Sequence, residues 1–368
     1  MGWKLNDLND RTNAPLAIFK PSGYMFANQG TQHVVYQGFG DGGGDGHIHE
    51  LWWQNGWHHN DLTTNTHAPL VTFEPSGYLF TNQGTQHVIY QGFVPGQGDD
   101  GRVHELWWDG DGWHHSDLTT ATNARGQLPP VINSPFGYDF NGQHVVYEGG
   151  DNHINYLEWD PDNGWENTDL TLSTSAGVAA ALPPTAYGFK AQNTRHVLYL
   201  GTDGHVHELW WQHHQWHHND LTNDSHAPLP LASDQPTGFA VEDGGTQLIH
   251  YRGTNGHVYQ LWWDSTGWHP LDMTANFGGP AAVSGASPAG YVFPFEGTLH
   301  VDYLGTDSHI HEYWRDGSGW HYNDLTNATG APLAISNPTA YVFPAQNTQH
   351  VVFNAANHHI IELFWVPA

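Results

Sequence analysis

A tryptophan, three variable residues, an aspartate and then Leu or Met recur seven times in this chain, which restricts it to architectures that grow by adding like units. The instances begin at Trp3, Trp57, Trp113, Trp165, Trp216, Trp268 and Trp320, at intervals of 54, 56, 52, 51, 52 and 52 residues. Periods of this length belong to solenoids and propellers, so the prior of two or three domains for 368 residues does not apply. The invariant Asp, as in Asp7, Asp61, Asp117, Asp169, Asp220, Asp272 and Asp324, reads as a turn closed through its own backbone rather than as a reacting group.

Three further markers keep a fixed order between these tryptophans. A small residue precedes an aromatic at Gly23, Gly77, Gly137, Ala186, Gly238, Gly290 and Ala340, as suits a crowded centre. A β-branched run follows, beginning at Gln32, Gln86, Gln143, Arg195, Gln247, Leu299 and Gln349. The last marker is an aromatic run beginning at His47, Arg102, His153, His205, His257, His309 and His359. The best-preserved copy, Gly204 to Thr222, reads as a β-hairpin. Alternation of side chains puts Glu208 and Trp210 on one face, and with Trp211 opposite Trp216 it sets Trp210 against His217 and Glu208 against Asn219.

Seven units of four short strands separated by Gly, Asn and Asp turns predict an all-β, seven-bladed β-propeller of four-stranded antiparallel blades. The first unit contributes only Trp3 to Leu8, so residues 3–8 complete the last blade and close the ring, and residues 1–368 form a single propeller domain. Closure removes sheet edges, whereas an open solenoid of seven units would leave both ends uncapped. DGGGDG from Asp41 and VPGQGDD from Val94 lengthen one hairpin turn, and DGGGDG is expected to be a mobile turn rather than a calcium loop. The third unit departs most, with Asn155, Tyr156 and Glu166 at otherwise regular positions, and any repeated site is expected to be weakest there.

Composition narrows the function. A formal charge of -28 with only nine Lys and Arg argues against nucleic acid as a partner. Aromatic content of 14% against 12% charged residues fits strands around an abundant apolar core. There is no Cys, hence no thiolate chemistry, and no run suited to membrane insertion or to a signal peptide. The chain is expected to be soluble, cytoplasmic as synthesised, and released if at all by a non-classical route.

The His-x-His-Glu strings at His47, His205 and His309 point two imidazoles the same way and suggest a metal-dependent enzyme as one reading. The competing reading is that His49, His207 and His311 pack between blades with bonded nitrogens, and no metal or other cofactor is expected. Repetition itself speaks against a single active site, so the chain is not expected to be an enzyme. It suits weak, multivalent binding, because a neutral sugar lays C-H groups on an indole and offers hydroxyls to Glu, Asn and His. Strand parity selects Glu50, Trp52, His58 and Asn60; Glu105, Trp107 and His114; Glu208, Trp210, His217 and Asn219; and Glu312, Trp314, His321 and Asn323 as sugar-binding candidates. Trp57, Trp113, Trp165, Trp216, Trp268 and Trp320 are equally explained by packing between blades. A protein-binding propeller scaffold is the third reading.

The strings HELWW from His49, His104 and His207, WHHNDLT from Trp57 and Trp216, the unit of about 52 residues and the start inside a blade resemble the seven-bladed "bangle" lectins of Photorhabdus bacteria. The resemblance spans the whole chain. It implies a fucose-binding lectin, with L-fucose and related O-methylated sugars as ligands, metal-independent sites between adjacent blades, a homo-oligomer, and cell-surface glycans of host or bacterium as partners. Units three and five, with Tyr156 and Gln260 in place of Glu, depart from the pattern.

Overall fold

A computed structural model describes residues 2–40, 43–122 and 128–367. Their strands form seven antiparallel sheets, each of four consecutive strands except the last, in which Gly2–Asp7 pairs with Ile360–Val366. Numbered along the chain, the blades span 22–61, 76–117, 136–169, 185–220, 237–272, 289–324 and 339–366 with 2–7. The second carries one extra short strand, Leu70–Val71. Each innermost strand lies against those of both neighbouring blades, Thr339–Phe343 against Ser22–Phe26 included, so the ring is closed. This is the expected seven-bladed propeller.

The small-plus-aromatic marker is a contact between blades. A Cβ on Gly77 would meet the Tyr24 ring at 2.4 Å, one on Gly137 would meet Tyr78 at 2.4 Å, and one on Gly23 would meet Tyr341 at 2.7 Å. Blades 1, 2, 3 and 5 thus offer a bare backbone to the tyrosine of the blade before them, and Gly290 of blade 6 offers one to Phe239, while blades 4 and 7 carry Ala186 and Ala340 at this place. The second strands are buried on both faces, with Val34, Val35 and Tyr36 wholly inaccessible, and this explains their unbroken apolar runs.

Beyond its outermost strand each blade adds an element that strand counting does not anticipate. A five-residue helix starts at Leu8, Leu62, Leu118, Leu170, Leu221, Met273 and Leu325. The invariant Asp is its N-cap, accepting from the backbone N-H three residues on, as Asp220 Oδ1 does from Asn223 N at 3.0 Å. The apolar residue after the Asp is fully buried in every copy. The side chain after that is docked on the third strand: Thr63 Oγ1 accepts from Ile48 N at 2.9 Å and Thr222 Oγ1 from Val206 N at 2.9 Å, and in the completing copy Asn9 Oδ1 accepts from Ile360 N at 2.6 Å.

The two long hairpins differ from the expectation of lengthened turns. In blades 1 and 2 the second and third strands themselves run on, Thr31–Gly40 with Gly43–Trp53 and Thr85–Val94 with Gly98–Trp108, past a register shift at Gln37/Phe39 and Gln91/Phe93. Asp41 and Gly42 of the DGGGDG string lie outside the described residues. Its Asp45 is a structural acceptor, taking bonds from His47 N at 2.8 Å and His49 Nε2 at 3.0 Å.

Candidate functional site

The expected hairpin register holds: Trp211 lies opposite Trp216, Trp210 opposite His217 and Glu208 opposite Asn219. On the resulting face, which looks toward the next blade, four side chains from three strands join in one chain of hydrogen bonds. In blade 1, Thr31 Oγ1 meets His33 Nε2 at 2.7 Å, His33 Nδ1 meets Glu50 Oε1 at 2.8 Å, and Asn60 Nδ2 donates to Glu50 Oε2 at 2.7 Å. Blade 4 repeats it through Thr194, His196, Glu208 and Asn219, and blade 6 through Thr298, His300, Glu312 and Asn323. Blade 2 has Thr85, His87 and Glu105, but Ser116 stands where the Asn would be and accepts from Trp107 Nε1 at 3.1 Å. Parity passed over blade 7, where Thr348, His350, Glu362 and Asn6 form the same chain.

Glu50, Glu105, Glu208 and Glu312 are buried at the base of this face, and in blades 1, 4 and 6 both carboxylate oxygens are taken. The surface they support is a plate made of an indole and an imidazole. Trp52 stacks on His58 with ring centroids 4.4 Å apart, Trp107 on His114 at 4.3 Å, Trp210 on His217 at 4.3 Å and Trp314 on His321 at 4.2 Å. A fifth plate, Trp262 on His269 at 4.2 Å, was missed because Gln260 replaces the Glu; the Trp and His themselves were visible in LWWDSTGWH. Turn aspartates hold three of the imidazoles, Asp109 to His114, Asp264 to His269 and Asp316 to His321, at 3.0 to 3.1 Å. The indole N-H groups of Trp52, Trp210 and Trp314 are buried without a hydrogen-bond partner.

The neighbouring blade supplies the opposite wall of each crevice. Across the first, Phe26 of blade 1 meets Trp108 of blade 2 edge-on at 5.6 Å. Trp57, Trp113, Trp165, Trp216, Trp268 and Trp320 pack against the apolar clusters between blades, the structural role weighed for them. The plate is absent from blade 3, where Glu158 faces Glu166 in its place, and a cavity of about 350 Å³ opens there, lined by Glu158, Trp159, Asp160, Arg195, Trp211 and His214 among others.

In the His-x-His strands the inner imidazole has both nitrogens bonded and the outer one its Nδ1. His205 Nδ1 meets Asp220 at 2.8 Å, while His207 bonds Asp203 through Nε2 and His218 through Nδ1 at 2.9 Å. His207 is buried. Burial raises the Asp203 carboxyl, but its bonds from the His207 ring and the His205 amide outweigh that and leave it below the usual range. Burial and the adjacent His207 lower His218. Among the described residues four triads of suitable ligand type lie close together, Asp7 with Asp10 and His359, Asp151 with His153 and Asp169, Asp203 with His205 and Asp220, and Asp307 with His309 and Asp324. In all four the imidazole is bonded to the helix-capping Asp.

No family model and no curated protein matches the chain. Solved structures do. SapL1 lectin in complex with α-methyl fucoside is 19% identical over 84% of this chain and 96% of its own, with a TM-score of 0.54. Lectins share this fold. AofleA from Arthrobotrys oligospora matches at 13% identity over 88% of this chain and 89% of its own, with a TM-score of 0.55. An Aleuria aurantia lectin mutant in complex with Fucα1-6GlcNAc matches at 16% over 80% and 92%, with a TM-score of 0.53. The propeller is not confined to lectins, since the β-propeller domain of the trilobed protease from Pyrococcus furiosus matches at 9% identity over 95% and 94%, with a TM-score of 0.52. Among the described residues no helix is long and apolar enough to cross a membrane.

Proposed function

We propose that this ring, as one domain over residues 1–368, is a multivalent lectin that binds L-fucose and related, including O-methylated, sugars in the crevices between blades. The observation that carries the reading is the repeated indole-imidazole plate on one face of five blades. An indole flanked by an imidazole and an amide matches the C-H face and hydroxyls of a neutral deoxysugar. In this reading Trp52, Trp107, Trp210 and Trp314 with His58, His114, His217 and His321 touch the sugar. Asn60, Asn219 and Asn323 border it, and Glu50, Glu105, Glu208 and Glu312 position the plates through their bonds to His and Asn. One shallow site binds weakly; several on one rigid ring engage a glycan-coated surface together, with avidity far above the single-site affinity. Homology of fold to fucoside-binding lectins supports the class of ligand, and resemblance to the bangle lectins supports the sugar and a homo-oligomeric, metal-independent mode.

The test is a glycan array probed in chelating buffer, followed by titration of Trp210→Ala. Signal confined to fucosylated or O-methylated glycans, with one binding site fewer in a variant that keeps its melting temperature within a few degrees, is the expected result. An array that stays blank in chelator and lights up with a divalent ion would sink the metal-independent reading. One that stays blank throughout would leave the protein-scaffold reading in its place.

A further inference from the structure

The crevice between blades 3 and 4 departs from the repeat on both of its walls at once. From blade 3, Glu158 and Glu166 occupy the positions of the Trp and His of a plate, and Tyr156 occupies that of the buried Glu. From blade 4, Arg195 stands where Gln32, Gln86, Gln143, Gln247 and Gln349 stand in other blades. The replacements meet. Arg195 Nη1 donates to Glu158 Oε1 at 2.7 Å and to Tyr156 Oη at 2.7 Å, and the Tyr156 hydroxyl lies 2.6 Å from His144 Nδ1. The guanidinium carbon lies over the Trp211 ring, 4.0 Å from its centroid, with Nε buried and unpartnered. Two losses of the regular pattern that were mere decay would have no reason to complement one another in charge across a blade boundary.

The result is a hole where five other crevices hold a plate. The cavity of about 350 Å³ is roomy enough for a monosaccharide. Arg195 is 6% exposed and therefore fixed in place, while the Glu158 side chain is 44% exposed and opens onto the cavity. A carboxylate accepts only and a guanidinium donates only. Side by side they match a pair of adjacent hydroxyls, one donating and one accepting, and both bonds gain from the charge of the protein partner. Glu158 and Asp160 on the lining oppose a ligand that brings a negative charge of its own.

We infer that the blade 3/4 crevice is a single, non-equivalent site for an uncharged sugar presenting two adjacent free hydroxyls, held between Glu158 and Arg195. This goes a step beyond the carbohydrate-binding reading and rests on it. The site sits where the repeat alone would put the weakest one.

The test is calorimetric titration of the full chain with methyl α-L-fucoside, methyl α-D-mannoside, methyl 3-O-methyl-α-L-fucoside and N-acetylneuraminic acid, on the parent chain, Glu158→Gln and Arg195→Gln. Arg195→Gln installs the residue that five other blades carry and so is expected to fold; it decides the matter if Glu158→Gln does not. The expected result is one site weakened at least tenfold in each variant for the adjacent-diol glycosides, the remaining sites unchanged. Neither the 3-O-methyl fucoside, which lacks an adjacent free pair, nor N-acetylneuraminic acid occupies that site. Variant titrations that superimpose on the parent's, or acid sugar bound at this site, would overturn the inference while leaving the lectin reading intact. A parent chain that binds no sugar, here and on the array, overturns both.

Discussion

Asp302 stands in the second strand of blade 6 where blades 1, 3 and 7 have Val35, Val146 and Val352, and it is wholly inaccessible. Neither carboxyl oxygen has a hydrogen-bond partner, and Glu312 lies directly opposite on the next strand. Burial first, and Glu312 second, hold its pKa well above the usual carboxylate range. A buried, unsatisfied polar group costs about 1 to 3 kcal/mol. Asp302→Val, which restores the residue of three other blades, should therefore raise the melting temperature. Because the folded pKa is above the unfolded one, Asp302 costs least in acid, and the advantage of the variant should widen as pH rises from about 4 toward neutrality. A variant no more stable than the parent at neutral pH would refute this. Two buried imidazoles carry the opposite dependence. Burial, with the Arg195 guanidinium, pushes His144 down to about 3, and burial pushes His250 down to about 4. Each favours folding above the unfolded imidazole pKa of about 6.5, and that support is lost as pH falls toward the folded value, at up to about 1.4 kcal/mol per pH unit per group. Thermal melts from pH 7 to 4.5 should show the decline, and His250→Val should flatten it.

The helix that ends each unit shows what a repeated string can and cannot disclose. Asp-Leu-Thr was legible as punctuation, and its Asp as a turn former, because an acceptor side chain at a fixed place next to a strand end satisfies nearby backbone N-H groups. That a helix follows was not legible: five residues such as LTNDS are too few for any 3.6-residue periodicity to register. The helix persists because its first residues are pinned at three points. Asp220 caps it and also holds His205 at 2.8 Å, Leu221 is buried, and Thr222 accepts the Val206 amide. Asp220→Ala removes the cap and the imidazole partner together. It should cost about 1 to 2 kcal/mol, seen as a lower denaturation midpoint with an unchanged slope; an unchanged midpoint would show that the cap is idle. The candidate crevices divide in the same way. Parity put Glu, Trp, His and Asn on one face because alternation is a local rule, and the hairpin register bears that out. The partners that occupy the carboxylates, His33, His196 and His300, come from a strand whose pairing offset no local pattern specifies. The plate of blade 5 was passed over for a related reason: Trp262 and His269 meet across a hairpin whether or not a Glu lies two residues away.

At the scale of the ring, stability depends on one strand that comes from the far end of the chain. Gly2–Asp7 pairs along its length with Ile360–Val366, with Trp3 opposite Trp365, Leu5 opposite Leu363 and Asn6 opposite Glu362. Leu8 is wholly buried, and Asn6 Nδ2 donates to Glu362 Oε2 at 2.6 Å. Without this strand Ile360–Val366 would become a bare edge whose unpaired N-H and C=O groups invite pairing with another chain. The apolar seam between blades 6 and 7, where Trp3 and Leu5 pack beside Leu363 and Ile361, would be opened to water. The contacts closing the ring join residues more than 350 apart, so they form late and at the largest chain-entropy cost of any in the fold. Deleting residues 2–8 should accordingly leave seven blades able to form their own hairpins but unable to hold the circle. The truncated chain should melt at least 10 °C lower and self-associate at micromolar concentration. A synthetic peptide of sequence GWKLNDL should restore both the melting temperature and the elution volume of the intact protein, because it supplies the missing ladder in trans. The same peptide with Leu5→Asp should not, since its register would place a carboxylate against Leu363. A truncated protein as stable as the intact one would mean that the blades adhere face to face strongly enough to need no closing strand, and the glycine-to-tyrosine contacts around the centre would then be what holds the ring.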